Sequence, residues 1–187
     1  MEKFLVILLA SMMLVTVNAQ DSEIQTLFGR GTRISGLGGP MMSFSSIDGE
    51  FAHMMGGGGG VLLDDFFLGG YGEGLTNPIV VGGNKTEFGH GGFWAGYSFM
   101  GKKVFHPSLS AQMGWGTLTQ LDDNTVLSTD NVFVINPAIE LEMNFTRFFR
   151  LGIGAHYRFV SGVNTSRLTD RDFSGPGAFL TFKFGWF

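Results

Sequence analysis

The chain contains no cysteine, and only 15% of its 187 residues are charged, against roughly 25% in an ordinary soluble domain. Without a thiol there is no disulfide scaffold, Cys-ligated zinc site, thiol enzyme or Cys-borne lipid anchor. After Gln20 no apolar run approaches the ~18–20 residues that a transmembrane helix needs. The nearest stretch, Gly56 to Leu63, is mostly glycine. The histidines His53, His90, His106 and His156 are scattered without ligand spacing, so neither metal nor cofactor is expected. No basic stripe offers itself to nucleic acid. What the chain does have is glycine, at 30 positions, and phenylalanine, at 20. With 44% apolar residues and a net charge of −4, it is too greasy and too weakly charged for disorder. Its length suits one domain.

The amino terminus reads as an export signal. Lys3 supplies a short charged start, Phe4 to Val17 an apolar core, and Val17-Asn18-Ala19 the small residues of a cleavage site. Residues 1–19 are therefore expected to leave, with cleavage before Gln20. Removing 19 of the 187 residues leaves 168. A membrane form of that remainder has to be a closed β-barrel, because hydrocarbon offers no partner to a free sheet edge.

Alternation supplies the strands. Phe105, Leu109, Ala111, Met113 and Trp115 alternate with His106, Ser108, Ser110, Gln112 and Gly114. Phe133, Ile135, Ile139, Leu141 and Met143 alternate with residues that include Asn136, Glu140 and Glu142. Phe149, Leu151, Ile153, Tyr157 and Phe159 alternate with Arg150, Gly152, Gly154, His156 and Arg158, and the same two-residue period runs through Phe93–Phe99 and Ala178–Trp186. That is the period of a strand with one greasy face. Three noisier stretches, near Gly39–Ile47, Phe51–Leu63 and Phe66–Gly74, bring the number to eight. Eight strands share 168 residues at about 21 each, which accommodates spanning segments of ~9–11 residues and their connections.

Short connections at Asp64-Asp65, Met100–Val104 and Thr146–Phe148 alternate with long ones at Leu75–Glu87, Leu118–Asn131 and Ser161–Ser174. Outer-membrane barrels show this alternation, with turns on the periplasmic side and loops outside. The first outer connection is the exception: Asp48-Gly49 is a type I′ hairpin signal.

On this pattern of export signal, eight alternating stretches and a carboxy-terminal strand ending in Phe187, the chain resembles the small eight-stranded outer-membrane β-barrels, the group that includes the outer membrane protein A barrel. The resemblance covers roughly Gly39–Phe187. It implies an all-β, antiparallel, up-and-down transmembrane barrel in the bacterial outer membrane, surrounded by outer-membrane lipid and acting as a monomer. It also implies that the terminal residues Phe184, Trp186 and Phe187 are the signal read by the barrel-insertion machinery. Here Trp186 holds the lipid-facing phase and Phe187 falls off it.

A soluble exported lipocalin-like barrel would alternate too, with its apolar face inside. The many glycines on the polar face, and aromatics such as Tyr97, Phe105, Phe145, Phe184 and Trp186 beside the short turns, favour lipid outside and a crowded, polar interior. Lumen-phase charges Glu140, Glu142, Arg150, Arg158 and Lys183, with His156, are expected to form a structural ion-pair network, because buried charges must be paired. A turn at residues 146–148 sets Glu142 opposite Gly152 and Glu140 opposite Gly154. An interior filled in this way leaves no porin-like pore.

Other motifs carry less. Gly56–Gly60 is followed by Val61-Leu62-Leu63 and not by Gly-Lys-Ser/Thr, so no phosphate loop is present; curvature of a tight barrel explains the glycines better. His106-Pro107-Ser108 resembles the His-x-Ser pair of outer-membrane lipid A deacylases, but Gln120 stands where an acid should follow, and both side chains fall on the lumen phase. A lipid-modifying enzyme is therefore the alternative rather than the reading. Pro107 and Pro137 are expected to mark bulges, and His90 lies near the outer rim. Asp122-Asp123-Asn124 and Asp130-Asn131 lack any defined calcium-loop spacing. Residues 20–38 are expected to be a short periplasmic tail or a plug, with no further domain after the last strand. The function expected is non-enzymatic: envelope integrity, or external loops that bind a ligand the sequence does not identify.

Overall fold

The computed structural model describes residues 31–81, 83–122, 125–165 and 168–187. The expected signal peptide and residues 20–30 lie outside these. Among the described residues nine strands follow one another: β1 (Ile34–Ile47), β2 (Glu50–Leu63), β3 (Phe66–Leu75), β4 (Ile79–Val81), β5 (Asn84–Ser98), β6 (Phe105–Asp122), β7 (Thr125–Asn144), β8 (Phe149–Ser161) and β9 (Gly175–Gly185). A single helical turn, α1 (Asp170–Phe173), precedes β9. All neighbours are antiparallel, β3 pairs directly with β5, and β1 pairs with β9. Eight strands thus close on themselves, and β4 is a short accessory strand on β5.

Closure leaves only the short accessory strand β4 with one whole edge free, and the phase is the one a membrane requires. Phe93, Trp115, Ile139 and Ile153 are each about 60% exposed (61%, 62%, 62% and 59%), while Trp94, Gly114, Glu140 and Gly152 beside them in sequence are buried. The apolar face points outward. A lipocalin-like barrel would have it inside, so that alternative is set aside.

Turn chemistry follows local sequence. Asp48 and Gly49 both take positive φ (49° and 82°), as a type I′ turn demands. The β7–β8 register pairs Glu142 with Gly152 and Glu140 with Gly154, as the three-residue turn at 146–148 predicts.

Several boundaries differ from expectation. The wall begins at Ile34, so residues 34–38 belong to β1 rather than to a preceding tail. The stretch Leu118–Asn131, expected as a loop, is mostly paired: β6 and β7 run on to Asp122 and Thr125. Likewise Leu75–Glu87 contains β4 and the start of β5. Beyond the membrane the outward face meets water and carries Thr117, Thr119, Thr129 and Asn131, while Leu118 and Gln120 stay buried inside, so the greasy alternation fades while backbone pairing continues. Pro107 and Pro137 mark no bulge. Register is unbroken through both, and the one shift on the β6–β7 ladder falls at Gln120/Leu121. Pro137 instead leaves a gap: β7 and β8 skip Asn136 and Pro137 and resume in the same register. A missing N–H removes a rung but inserts no residue.

The interior is layered rather than uniformly polar. Near the short turns, charged side chains from β6 to β9 face an apolar cluster of Leu37, Leu62, Phe67, Tyr71 and Trp94 from β1, β2, β3 and β5. Toward the long connections the lumen is apolar: Ile47, Met54, Phe88, Val134 and Phe173 pack together with Ile79 of β4 and Leu168. The expected polar filling therefore holds only for part of the lumen. Chain segments folded back over the mouth, which the strand pattern does not reveal, supply the apolar part.

Candidate functional site

Period two places Glu140 and Glu142 on the same face of β7, and the register brings three strands to them. His106 and Ser108 of β6 pair with Glu142 and Glu140 on one side. On the other, Gly152 of β8 pairs with both Glu142 and Thr181, and Arg150 pairs with Lys183. The Lys183 ammonium sits between the carboxylates, 2.7 Å from Glu140 Oε2 and 2.6 Å from Glu142 Oε1. Glu142 Oε2 also accepts from Arg150 Nη1 at 3.2 Å, Ser98 Oγ at 3.2 Å and His106 Nε2 at 2.8 Å. Glu140 accepts from Ser108 Oγ at 3.2 Å and from the Thr181 hydroxyl. All of these side chains are buried. Two carboxylates thus meet two cations amid several neutral donors, the arrangement under which buried charge is tolerated.

Glycine makes the room. A Cβ at Gly152 would overlap the Glu140 carboxylate and the Thr181 hydroxyl. Gly154, opposite Glu140 in the register, makes a different space: its Cβ would meet the Ile139 carbonyl and the Phe179 ring. At the turn end the Arg150 guanidinium donates to the Gly101 carbonyl at 3.1 Å and lies 3.9 Å from the Phe187 ring centroid. Phe187, off the lipid phase, caps the network from below, while Trp186 is 71% exposed and Phe184 also faces outward.

His156 and Arg158 do not join this group. Arg158 is buried nearer the long connections, where Nε donates to the Phe173 carbonyl at 2.7 Å and the guanidinium lies 5.4 Å from the Phe88 ring centroid. It ties α1 down over the lumen. His156 packs against Phe179. The lumen phase is right for both, but their rows on β8 lie too far along the strand to reach Glu140 and Glu142.

A second polar group was not legible. Glu73 and His90 pair across β3 and β5, 3.3 Å apart, with Ser43 Oγ donating to Glu73 at 3.1 Å and Tyr71 O–H bridging to His90 Nδ1 at 3.1 Å. His90 is buried inside rather than on the rim. Glu73 lies among Gly69, Gly70, Gly72 and Gly74, where alternation has no side chains to show it.

As a catalytic pair, His106 and Ser108 are poorly placed. Each is hydrogen-bonded to a different carboxylate, and both are buried inside the wall, away from the lipid face. Among the described residues no group of His, Asp and Glu is arranged to hold a metal.

No protein-family model and no curated protein matches the chain. Solved structures do. Neisserial surface protein A superposes with a TM-score of 0.61 at 13% identity, over 82% of this chain and 96% of that one. The N-terminal β-barrel domain of Pseudomonas aeruginosa OprF gives 0.58 at 16%, over 83% and 98%. Ail, the attachment invasion locus protein of Yersinia pestis, gives 0.50 at 11%, over 83% and 99%. With its closed wall, outward apolar face and these counterparts, the chain has the fold of the small eight-stranded outer-membrane β-barrels.

Proposed function

We propose that the protein is a non-enzymatic, monomeric barrel of the bacterial outer membrane, closed to solutes, that serves envelope integrity or presents its outer connections for binding. The observation that carries this reading is the outward apolar band on a wall of eight strands closed by the β1–β9 pairing. Phe105 and Trp115 on β6 are ten residue steps apart, which at the usual rise and tilt spans ~25 Å, the height of an outer-membrane apolar band. Aromatics sit at both limits: Tyr97 with Phe99 and Phe148 with Trp186 by the turns, and Trp115 with Phe133 toward the long connections. A filled lumen is supported by the Glu140–Glu142–Lys183–Arg150 group with the apolar cluster that faces it, and by the apolar layer around Phe173. The exposed terminal residues Phe184 and Trp186, with Phe187, are the part of the chain that the barrel-insertion machinery would read.

The test is fractionation with gel mobility. The mature protein is expected in detergent extracts of membranes, running faster unheated than boiled, and to give no steady conductance in planar bilayers. Recovery in the aqueous fraction after osmotic shock, or a stable open channel, would count against it.

A further inference from the structure

Arg150 and Lys183 each meet a carboxylate, but among the described residues Arg158 forms no ion pair. It is nonetheless 1% exposed. Its Nε donates to the Phe173 carbonyl at 2.7 Å, Nη1 lies 3.3 Å from the Met54 sulfur, and Nη2 has no hydrogen-bond partner. Glu73 accepts from Ser43 and faces His90 at 3.3 Å, and it does not reach the guanidinium. A buried cation held by one neutral carbonyl, with a donor left over, is a costly arrangement.

That carbonyl belongs to a strap, residues 168–174, which includes α1 and covers the mouth. Leu168 and Phe173 are 3% and 0% exposed and insert among Ile47, Met54, Phe88 and Val134. The Phe88 ring centroid lies 5.4 Å from that of Phe173 and 5.4 Å from the Arg158 guanidinium carbon, so apolar and charged anchors adjoin. The other ties are polar: Asp48 N donates to the Asp172 carbonyl at 2.9 Å, and Val160 N to Ser174 Oγ at 2.9 Å. The strap thus offers the lumen two apolar side chains and one oxygen acceptor. An apolar molecule with an oxygen-bearing head has the same outline. Nε and Nη2 form one edge of the guanidinium, and a carboxylate matches that edge with two parallel hydrogen bonds where the carbonyl makes one. The side chains of Leu168 and Phe173 together match a medium-chain acyl group in carbon number.

We propose that the outer half of the lumen is a binding site for a medium-chain fatty acid anion, and that the strap is its autoinhibitory occupant. The acyl chain replaces Leu168 and Phe173, the carboxylate takes Nε and Nη2 of Arg158, and the Glu140–Glu142 layer below stays shut. The ligand enters from outside, so the proposal rests on the outer-membrane reading above.

The chain has no cysteine, so Leu168→Cys reports the strap without background. In full-length mature barrels in phosphatidylcholine bicelles, decanoate is expected to speed modification of that cysteine by a membrane-impermeant thiol reagent at least tenfold. Decanol, which lacks the charge, and acetate, which lacks the chain, should leave the rate unchanged. By carbon-13 NMR of carboxyl-labelled decanoate, Arg158→Met should weaken binding about tenfold. Phe173→Ser removes the competing side chain and should tighten it about tenfold. Equal acceleration by decanol, no acceleration by decanoate, or unchanged affinity in Phe173→Ser would each overturn the proposal, whether or not Arg158→Met folds. The heat-dependent gel shift reports the barrel separately. Failed acceleration with an intact shift counts against the fatty acid site alone, and a lost shift in the parent counts against the membrane reading.

Discussion

Glu142→Ala is expected to destabilise the barrel by about 3–5 kcal/mol, the usual cost of removing one partner from a buried ion pair. The reason lies in what stays behind. Glu142 is the shared acceptor of Lys183, Arg150, His106 and Ser98, so its loss strands two cations against Glu140 alone and leaves an apolar cap, Phe187, over an unpaired guanidinium. Urea unfolding of barrels reconstituted in vesicles, followed by the gel shift and by the fluorescence of buried Trp94, would measure it. Glu142→Gln keeps the shape but loses the charge, and is expected to fall between the two. Pairing Glu142→Met with Arg150→Met removes a charge of each sign and should recover part of the loss, the coupling that a double-mutant cycle isolates. If Glu142→Ala unfolds at the parental urea concentration, these contacts contribute nothing to stability.

Gly60→Val should prevent the barrel from closing. A Cβ at Gly60 would overlap the Leu68 carbonyl and the Gly69 Cα, and a clash with a neighbouring backbone cannot be relieved by a rotamer change. The cost therefore reaches or exceeds the ~3 kcal/mol upper end of ordinary overpacking. The expected result is a band that no longer shifts on heating and a chain sensitive to protease in vesicles. Gly72→Ala is the matched control, because its methyl group enters open space and should leave the shift intact. Equal behaviour of the two variants would mean that tight β2–β3 approach is not what the glycine run provides. The comparison separates glycines needed for curvature from those that merely leave the outer wall smooth.

Legibility followed the reach of each determinant. Glu140, Glu142 and Arg150 were readable because period two sets their phase and a three-residue turn sets their register; nothing distant intervenes. Lys183 was readable by phase alone. Thr181 and Ser98 were missed as partners of the network, because choosing them requires the exact register of β8–β9 and the approach of β5 across the lumen. Arg158 was assigned to the wrong company for the same reason. Its partner is the carbonyl of Phe173, on a helical turn whose position over the mouth depends on a long connection. Glu73 was hidden by its glycine neighbours, and the β6–β7 extension by the polar residues on its outward face.

The β1–β9 seam is expected to close last in assembly. Every other wall ladder except β3–β5 joins consecutive strands, and even β3–β5 spans only a short excursion through β4. The seam joins Leu37 to Gly185, so its loop-closure entropy is the largest in the molecule. It is also sparse: after Gly38–Phe184 the pairing skips Gly39 and Pro40 and resumes at Met41–Thr181. Hairpins such as β6–β7 can zip locally and early, whereas the amides of β1 and β9 that face the seam are expected to gain protection from exchange last and surrender it first. Until that final zip, the chain is an open ribbon with two sticky margins, and its vulnerability to mispairing is concentrated in that interval.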